Sequence, residues 1–117
     1  TVLRHHSAAA AEKFIQEVCW RSYWKGWLEL RPAVLDRFRA ERRALAARRA
    51  ADAALHDALA RAETGATGIE CFDHWARELV ETGWLHNHAR MWFASIWIFT
   101  LRLPWQLGAD FFYKHLL

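Results

Sequence analysis

Two short stretches of this sequence place charged and flat aromatic side chains at helical spacing. In the first, Glu17, Trp20, Arg21, Trp24 and Trp27 fall at i, i+3, i+4, i+7 and i+10. Steps of 100° then gather a carboxylate, a guanidinium and three indoles on one side of a helix. That face permits two readings. One is an i,i+4 pair between Glu17 and Arg21, worth about 0.3 kcal/mol, beside amphipathic Trp packing. The other is a cleft wall, with planes to stack a planar ring and a five-donor cation for charge-assisted bonds to a phosphate. Phe14, Ile15, Val18 and Cys19 point to another side and read as ordinary core.

In the second stretch Asn87, Arg90, Met91 and Ala94 form a stripe at i, i+3, i+4 and i+7, on a helix that also carries Trp92, Phe93, Ile96, Trp97, Ile98 and Phe99. A helix so apolar is expected to be buried on nearly every side. Arg90 then needs an acceptor, because an isolated buried charge costs several kcal/mol. No Asp or Glu lies within reach along the helix. The expected acceptor is a carboxylate from elsewhere in the fold, a bound ligand or water, unless Arg90 snorkels at the helix edge.

Other chemistries find no support. His86 and His88 have the wrong spacing for a zinc pair on one helix face, and no Cys or carboxylate cluster completes a site, so no metal is expected. There is no GxSxG, no phosphate-cradling Gly loop and no pair of carboxylates set for acid–base work. Cys19 and Cys71 lie far apart without CxxC spacing. They are expected as buried free thiols in a reducing, cytoplasmic setting.

The elements that must position these residues read as all-α. β-Branched alternating runs are missing, and both prolines, Pro32 and Pro104, stand where a helix can begin. A first helix is predicted from Ala8, capped by Ser7, to Leu30. A second starts at Pro32 and continues through Glu41–Ala62, where ten of twenty-two residues are Ala, which favours helix and supplies little to pack. Residues 37–63 thus read as an Ala/Arg-rich helical connector within a single domain spanning 1–117. Its arginines, Arg37, Arg39, Arg42, Arg43, Arg48 and Arg49, could touch nucleic acid, and a solvated helix face is the preferred reading. After the turn Thr64-Gly65-Ala66-Thr67-Gly68 come a third helix, Ile69–Thr82, stopped by Gly83, a fourth over 87–101, and a fifth from Pro104 onward.

At 117 residues the chain has room for one compact domain. With 54% hydrophobic and 25% charged residues, extended disorder is excluded for its bulk. Eight Trp suggest a thick core, an aromatic-lined cleft, or both. The net charge of +3 favours polyanionic partners only mildly. Met91–Leu101, fenced by Arg90 and Arg102, makes about 16 Å of helix, too short to span a bilayer, so no membrane partner is expected. The chain begins at Thr1 rather than Met and stops after Leu117 without a polar tail. It reads as a piece of a longer protein.

Three segments together resemble the DNA photolyase and cryptochrome family. Glu17-Val18-Cys19-Trp20-Arg21-Ser22-Tyr23-Trp24 is similar to its E-x-x-W-R-[ES]-[FY]-[YW] segment. Thr67-Gly68, with Asp73 at an internal position, through Thr82-Gly83-Trp84-Leu85-His86-Asn87-His88-Ala89-Arg90-Met91 resembles its T-G…D…T-G-[WY]-[ML]-H-N-R-x-R-M signature. Leu103-Pro104-Trp105-Gln106-Leu107-Gly108-Ala109-Asp110-Phe111-Phe112 resembles [ILV]-x-W-x-x-G-x-x-[YF]-F. The three cover most of residues 12–117 in the family's order.

The resemblance implies a truncated, multi-helix FAD-binding domain of a blue-light flavoprotein. In such a protein Arg21 would bind a flavin phosphate, Asn87 and Arg90 would sit beside the isoalloxazine, and Phe14 would hold an aromatic position against the cofactor. Glu17, Trp20 and Met91 match residues lining the pocket for a flipped-out pyrimidine dimer. Trp105 matches a member of the tryptophan chain that carries an electron to the excited flavin. The implied function is light-driven repair of cyclobutane dimers in UV-damaged DNA by electron transfer from reduced FAD; the alternative is a cryptochrome-type photoreceptor without repair. The resemblance further implies a monomer, an antenna chromophore in a preceding domain, and weak FAD retention by these residues alone. The indole-and-guanidinium face of the first helix is expected to lie across a flavin-sized gap from the Asn/Arg/Met stripe. Ala62 stands where many relatives keep the surface tryptophan of the chain, and His88 replaces a common Arg. Asn87 and Met91 are the types of cyclobutane-dimer enzymes, where (6-4) enzymes place His.

Overall fold

In a computed structural model the chain is described over residues 2–117, with side chains from Arg4 onward. Seven α-helices follow one another: α1 (Val2–His5), α2 (Glu12–Glu29), α3 (Pro32–Ala51), α4 (Ala53–Thr64), α5 (Glu70–Thr82), α6 (Asn87–Ser95) and α7 (Trp105–His115). A π-helical turn, Ile96–Thr100, prolongs α6. No strand occurs among the described residues. The contacts divide the chain into two compact units that meet between Phe38 and Arg39, within α3.

In the first unit α2 starts later than the sequence suggests. The Ser7 hydroxyl accepts the Ala10 N–H at 3.2 Å, and the Ser7 carbonyl accepts that of Ala11 at 3.0 Å. Ser7 therefore caps a turn through the alanine run, and α2 begins at Glu12 with no side-chain cap. None of its residues is buried: Phe14 is 54% exposed and Val18 47%. The expected core side of this helix is thus an exposed apolar side, because nothing in its own unit is large enough to cover it. Arg31 closes the far end, its guanidinium 4.6 Å above the Trp27 ring.

The second unit holds the core. The helix expected to run unbroken past Ala51 stops there, because Asp52 leaves helical geometry and accepts the Leu55 N–H at 3.0 Å as the N-cap of α4. The break matters, since Arg49 and Glu63 form a two-bond ion pair at 2.7 and 2.8 Å. A straight helix would separate them by roughly 21 Å. On α5, Phe72, Ala76 and Leu79 at i, i+4 and i+7 are fully buried. Phe72 stacks on Phe93 of α6 at 4.2 Å, and Phe93 on Phe111 of α7 at 6.0 Å. Trp97 is the largest fully buried side chain; its indole N–H donates to the Pro104 carbonyl at 3.0 Å. A Cβ on Gly108 would stand 3.0 Å from that indole nitrogen, so α7 approaches Trp97 with no side chain between them.

Two expectations about burial are corrected here. The helix over residues 87–100 is buried on one side only: Phe93 and Trp97 enter the core, while Met91 (62%), Trp92 (59%) and Phe99 (76%) are exposed. Within this unit α5 and α7 cover a single face. Cys19 and Cys71 are exposed free thiols. Cys71 precedes the buried stripe that starts at Phe72, and α2 buries no residue at all. No helix among the described residues is long and apolar enough to cross a membrane.

The turn before α5 is a closed hydrogen-bonded knot. Asp73 Oδ1 accepts the Thr67 N–H at 2.9 Å and the Thr67 hydroxyl at 2.6 Å, while Oδ2 accepts the Gly68 N–H at 2.9 Å. Arg77 donates to the Gly65 carbonyl at 2.6 Å. Burial alone would raise the Asp73 carboxyl, but these bonds to its charged form, with the nearby Arg77 charge, hold it below the ordinary carboxylate range. A lowered folded-state value stabilises the fold above the unfolded value near 3.9 and is lost as pH falls through the folded one. We therefore expect denaturant midpoints to drop as pH is taken below about 4, and Asp73→Asn to be less stable at neutral pH with a flatter acid limb. Gly65 has φ +66°, and a Cβ there would meet the Asp73 carbonyl at 2.5 Å. Gly65→Ala should accordingly cost about 2 kcal/mol in denaturation, where Gly26→Ala, with open space around it, should not.

Candidate functional site

The α2 residues singled out by spacing stand on an exposed face. Trp20 and Trp24 are 57% and 53% exposed. Tyr23 inserts between them edge-on, at 6.0 Å from Trp20 and 5.4 Å from Trp24, and Trp24 meets Trp27 at 5.9 Å. In each such pair one ring gives a face to its neighbour's edge, and the exposure of Trp20 and Trp24 leaves the rest of their surface to solvent. Among the described residues Glu17 and Arg21 form no ion pair, with each other or with any other group. The i,i+4 pair is thus not made. A carboxylate and a guanidinium flank Trp20 with their hydrogen-bonding capacity unspent. Tyr23, the fourth ring of the ladder, stands in the quoted motif but not in the spacing stripe, because its offset places it at the stripe's edge.

On α6 the geometry begins one residue before the helix. His86 is the N-cap, its Nδ1 accepting the His88 N–H at 3.3 Å, and Asn87 is the first helical residue, exposed and without a side-chain partner among the described residues. Arg90 answers its need for an acceptor in a way the sequence does not announce. Its Nε donates to the backbone carbonyl of Leu85 at 2.6 Å. This acceptor, supplied locally by the chain entering the helix, is one that the sequence reading did not name. No buried side-chain nitrogen or oxygen among the described residues lacks a partner, so the two terminal nitrogens of Arg90 reach the surface. Asn87, Arg90 and Met91 thus present an amide, a guanidinium end and a thioether from one helix. Beside them the rings of Trp84, His86, His88, Trp92 and Trp75 follow one another at 5.3–6.4 Å.

Trp105, the first residue of α7, is half-exposed and lines an apolar cleft of about 230 Å³ with Phe93, Ala94, Trp97, Ile98 and Phe112. Ala94, on the Asn87–Arg90 stripe, and Trp105 therefore border the same space. Ala62 is fully buried in the core, so no ring is available at that position. Phe14, Glu17, Trp20 and Arg21 share α2, in the other unit. Among the described residues no three His, Cys, Asp or Glu stand close enough to hold a metal ion.

Arg90→Met keeps the bulk of the side chain and removes the bond to Leu85. Urea denaturation should show a loss of about 1–2 kcal/mol, with fraying at the start of α6 visible in amide exchange.

Residues 14–117 match the family model described as the FAD binding domain of DNA photolyase. Deoxyribodipyrimidine photo-lyase of Streptomyces griseus is 32% identical over 109 residues, 93% of this chain and 23% of the relative. The enzyme of the same name from Alkalihalophilus pseudofirmus is 31% identical over 108 residues, 92% of this chain and 22% of the relative. Cryptochrome-1 of Arabidopsis thaliana is 42% identical over 53 residues, 45% of this chain and 8% of the relative. No solved structure matches. The chain spans less than a quarter of the length of these relatives. With its all-helical fold, the chain belongs to the DNA photolyase and cryptochrome family, within that family's FAD-binding domain.

Proposed function

We propose that the protein to which these residues belong is a deoxyribodipyrimidine photolyase, and that Phe14, Arg21, Asn87 and Arg90 bind its FAD. The donor set fits such a group. Arg21 carries an unpaired guanidinium on a surface of open rings, as a phosphate beside an aromatic system requires. The Asn87 amide and the free end of Arg90 offer N–H donors to the acceptor-rich edge of an isoalloxazine. Bound and reduced, FAD would lend the dimer a photoexcited electron and take it back once the ring has opened. Glu17 would hydrogen-bond a thymine edge, the Trp20 face would stack on the flipped-out dimer, Met91 would pack against it, and Trp105 would pass an electron inward to bring oxidised flavin to its reduced state.

The observation that carries this reading is the α2 face, where Trp20 is open and its flanking Glu17 and Arg21 are both unpaired. Among the described residues neither charge pairs with another group, which leaves both available to a ligand stacked on the indole. The relatives that cover more than nine-tenths of the chain both bear the photo-lyase name. A photoreceptor reading rests on the shorter cryptochrome stretch, over a length at which photo-lyases are as identical. The two part in one experiment. The full-length protein, illuminated with a dimer-containing oligonucleotide, should restore thymines, and Trp20→Ala should abolish that repair while flavin photoreduction persists. Photoreduction without restored thymines establishes the photoreceptor instead. Binding to the damaged oligonucleotide should weaken steeply with salt. The 117 residues alone should retain little FAD; a yellow purified chain would overturn that.

A further inference from the structure

The alanine/arginine-rich segment does more than connect. Where its sequence suggests a solvated face, two adjacent residues of α3 reach two residues one turn apart on α7. Gln106 donates to Glu41 Oε2 at 2.9 Å, and Arg42 donates to Asp110 Oδ1 at 3.1 Å. These contacts bridge 65 and 68 residues of chain. Glu41 and Arg42 lie side by side, and Gln106 and Asp110 stand at i and i+4 on one α7 face. Two bonds of this layout fix both the height of α7 along α3 and its rotation, which a single bond cannot.

Of the nine residues Glu41–Arg49, four are Arg and three are exposed Ala, and Leu45 is the apolar residue of this stretch that packs on the core. This stretch therefore adds few large apolar side chains to the seating that Leu107, Gly108 and Phe111 give α7 in the core, and its hold on α7 is mainly polar. Gln106 is the immediate neighbour of Trp105, whose ring lies on the cleft shared with the buried and tightly held Trp97. A rotation of α7 by part of a turn would sweep Trp105 across that cleft.

We propose that Glu41 and Arg42 are positioning residues for Trp105: a two-point polar clamp from α3 sets the rotation of α7 and with it the place of the indole. The functional weight of this clamp rests on the relay role given to Trp105 above, while the clamp itself does not. Electron exchange between separated rings falls off exponentially with distance, so a relay ring must be held more closely than a core ring needs to be.

The chain labelled with 5-fluorotryptophan tests the clamp, the Trp105 and Trp97 lines being assigned with Trp105→Phe and Trp97→Phe. In the double variant Glu41→Ala, Arg42→Ala the Trp105 line should shift or split while the Trp97 line stays in place. Arg42→Asp combined with Asp110→Arg should bring the Trp105 line back toward its original position. An unmoved Trp105 line, or a common shift of both lines, overturns the proposal: the first shows no positioning, the second general loosening. In the flavin-loaded full-length protein the same double variant should lose more than half of its photoreduction yield, and Trp105→Phe nearly all. If Trp105→Phe leaves the yield intact, the relay reading fails whatever the fluorine spectra show. If Trp105→Phe abolishes it and the clamp variant matches the parent, the clamp has no role in the relay.

Discussion

The second unit depends on one buried indole. Trp97 fills the space between α5, α6 and α7, stacks at 5.9 and 6.1 Å on Phe93 and Phe111, and has its lone polar atom satisfied by the Pro104 carbonyl. An unsatisfied indole N–H at that depth would cost 1–3 kcal/mol, so the chain between Thr100 and Trp105 must return its backbone to that point. It does so through a π-helical turn closed by the Leu101 N–H on the Ile96 carbonyl at 2.9 Å, and through Arg102 in the left-handed region at φ +54°. Non-glycine residues avoid that region, and the constraint on Trp97 is strong enough to hold one there. Gly108 then lets α7 rest on the indole face.

Seen this way, three fragments of the family signature have physical reasons that do not involve chemistry. Thr67, Gly68 and Asp73 make the knot that aims α5; Gly83 ends α5 in the left-handed conformation, φ +68°; Gly108 clears a path for Trp97. Leu85 and His86 prepare the first turn of α6, one by offering a carbonyl to Arg90, the other by capping. The residues free of such duties are Glu17, Trp20, Arg21, Asn87 and Met91. They stand on α2 and on α6, and on each helix the fold leaves their side chains unused.

The helical class, the turn at Thr64–Gly68, the stop at Gly83 and the helix starts at Pro32 and Pro104 were legible because local chemistry decides them. Glycine adopts the left-handed caps at Gly65 and Gly83 without steric cost, and proline fixes its own φ. What stayed hidden depends on partners distant in sequence. Asp52 is an acceptable helix residue until the Arg49–Glu63 pair and core packing make a break preferable. The backbone acceptor of Arg90 is invisible to any count of acidic side chains. Burial of residues 91–99 was overestimated because apolar composition reports an average, while exposure depends on which neighbours are present. The candidate site residues could be named from spacing and resemblance; what the fold adds is which of them it leaves unoccupied.

The π-helical turn carries an implication for how this stretch tolerates length changes. A π turn holds one residue more than the α-helical turn it replaces, so Ile96–Thr100 stores a single-residue insertion within a continuous helix. Excising one residue there would relax the turn to ordinary pitch, yet everything downstream would be wound back by about 100°. Leu103 and Pro104 would then be carried off the indole they serve. The length of this turn, more than the identity of any one residue in it, therefore sets the register in which the last helix meets the core.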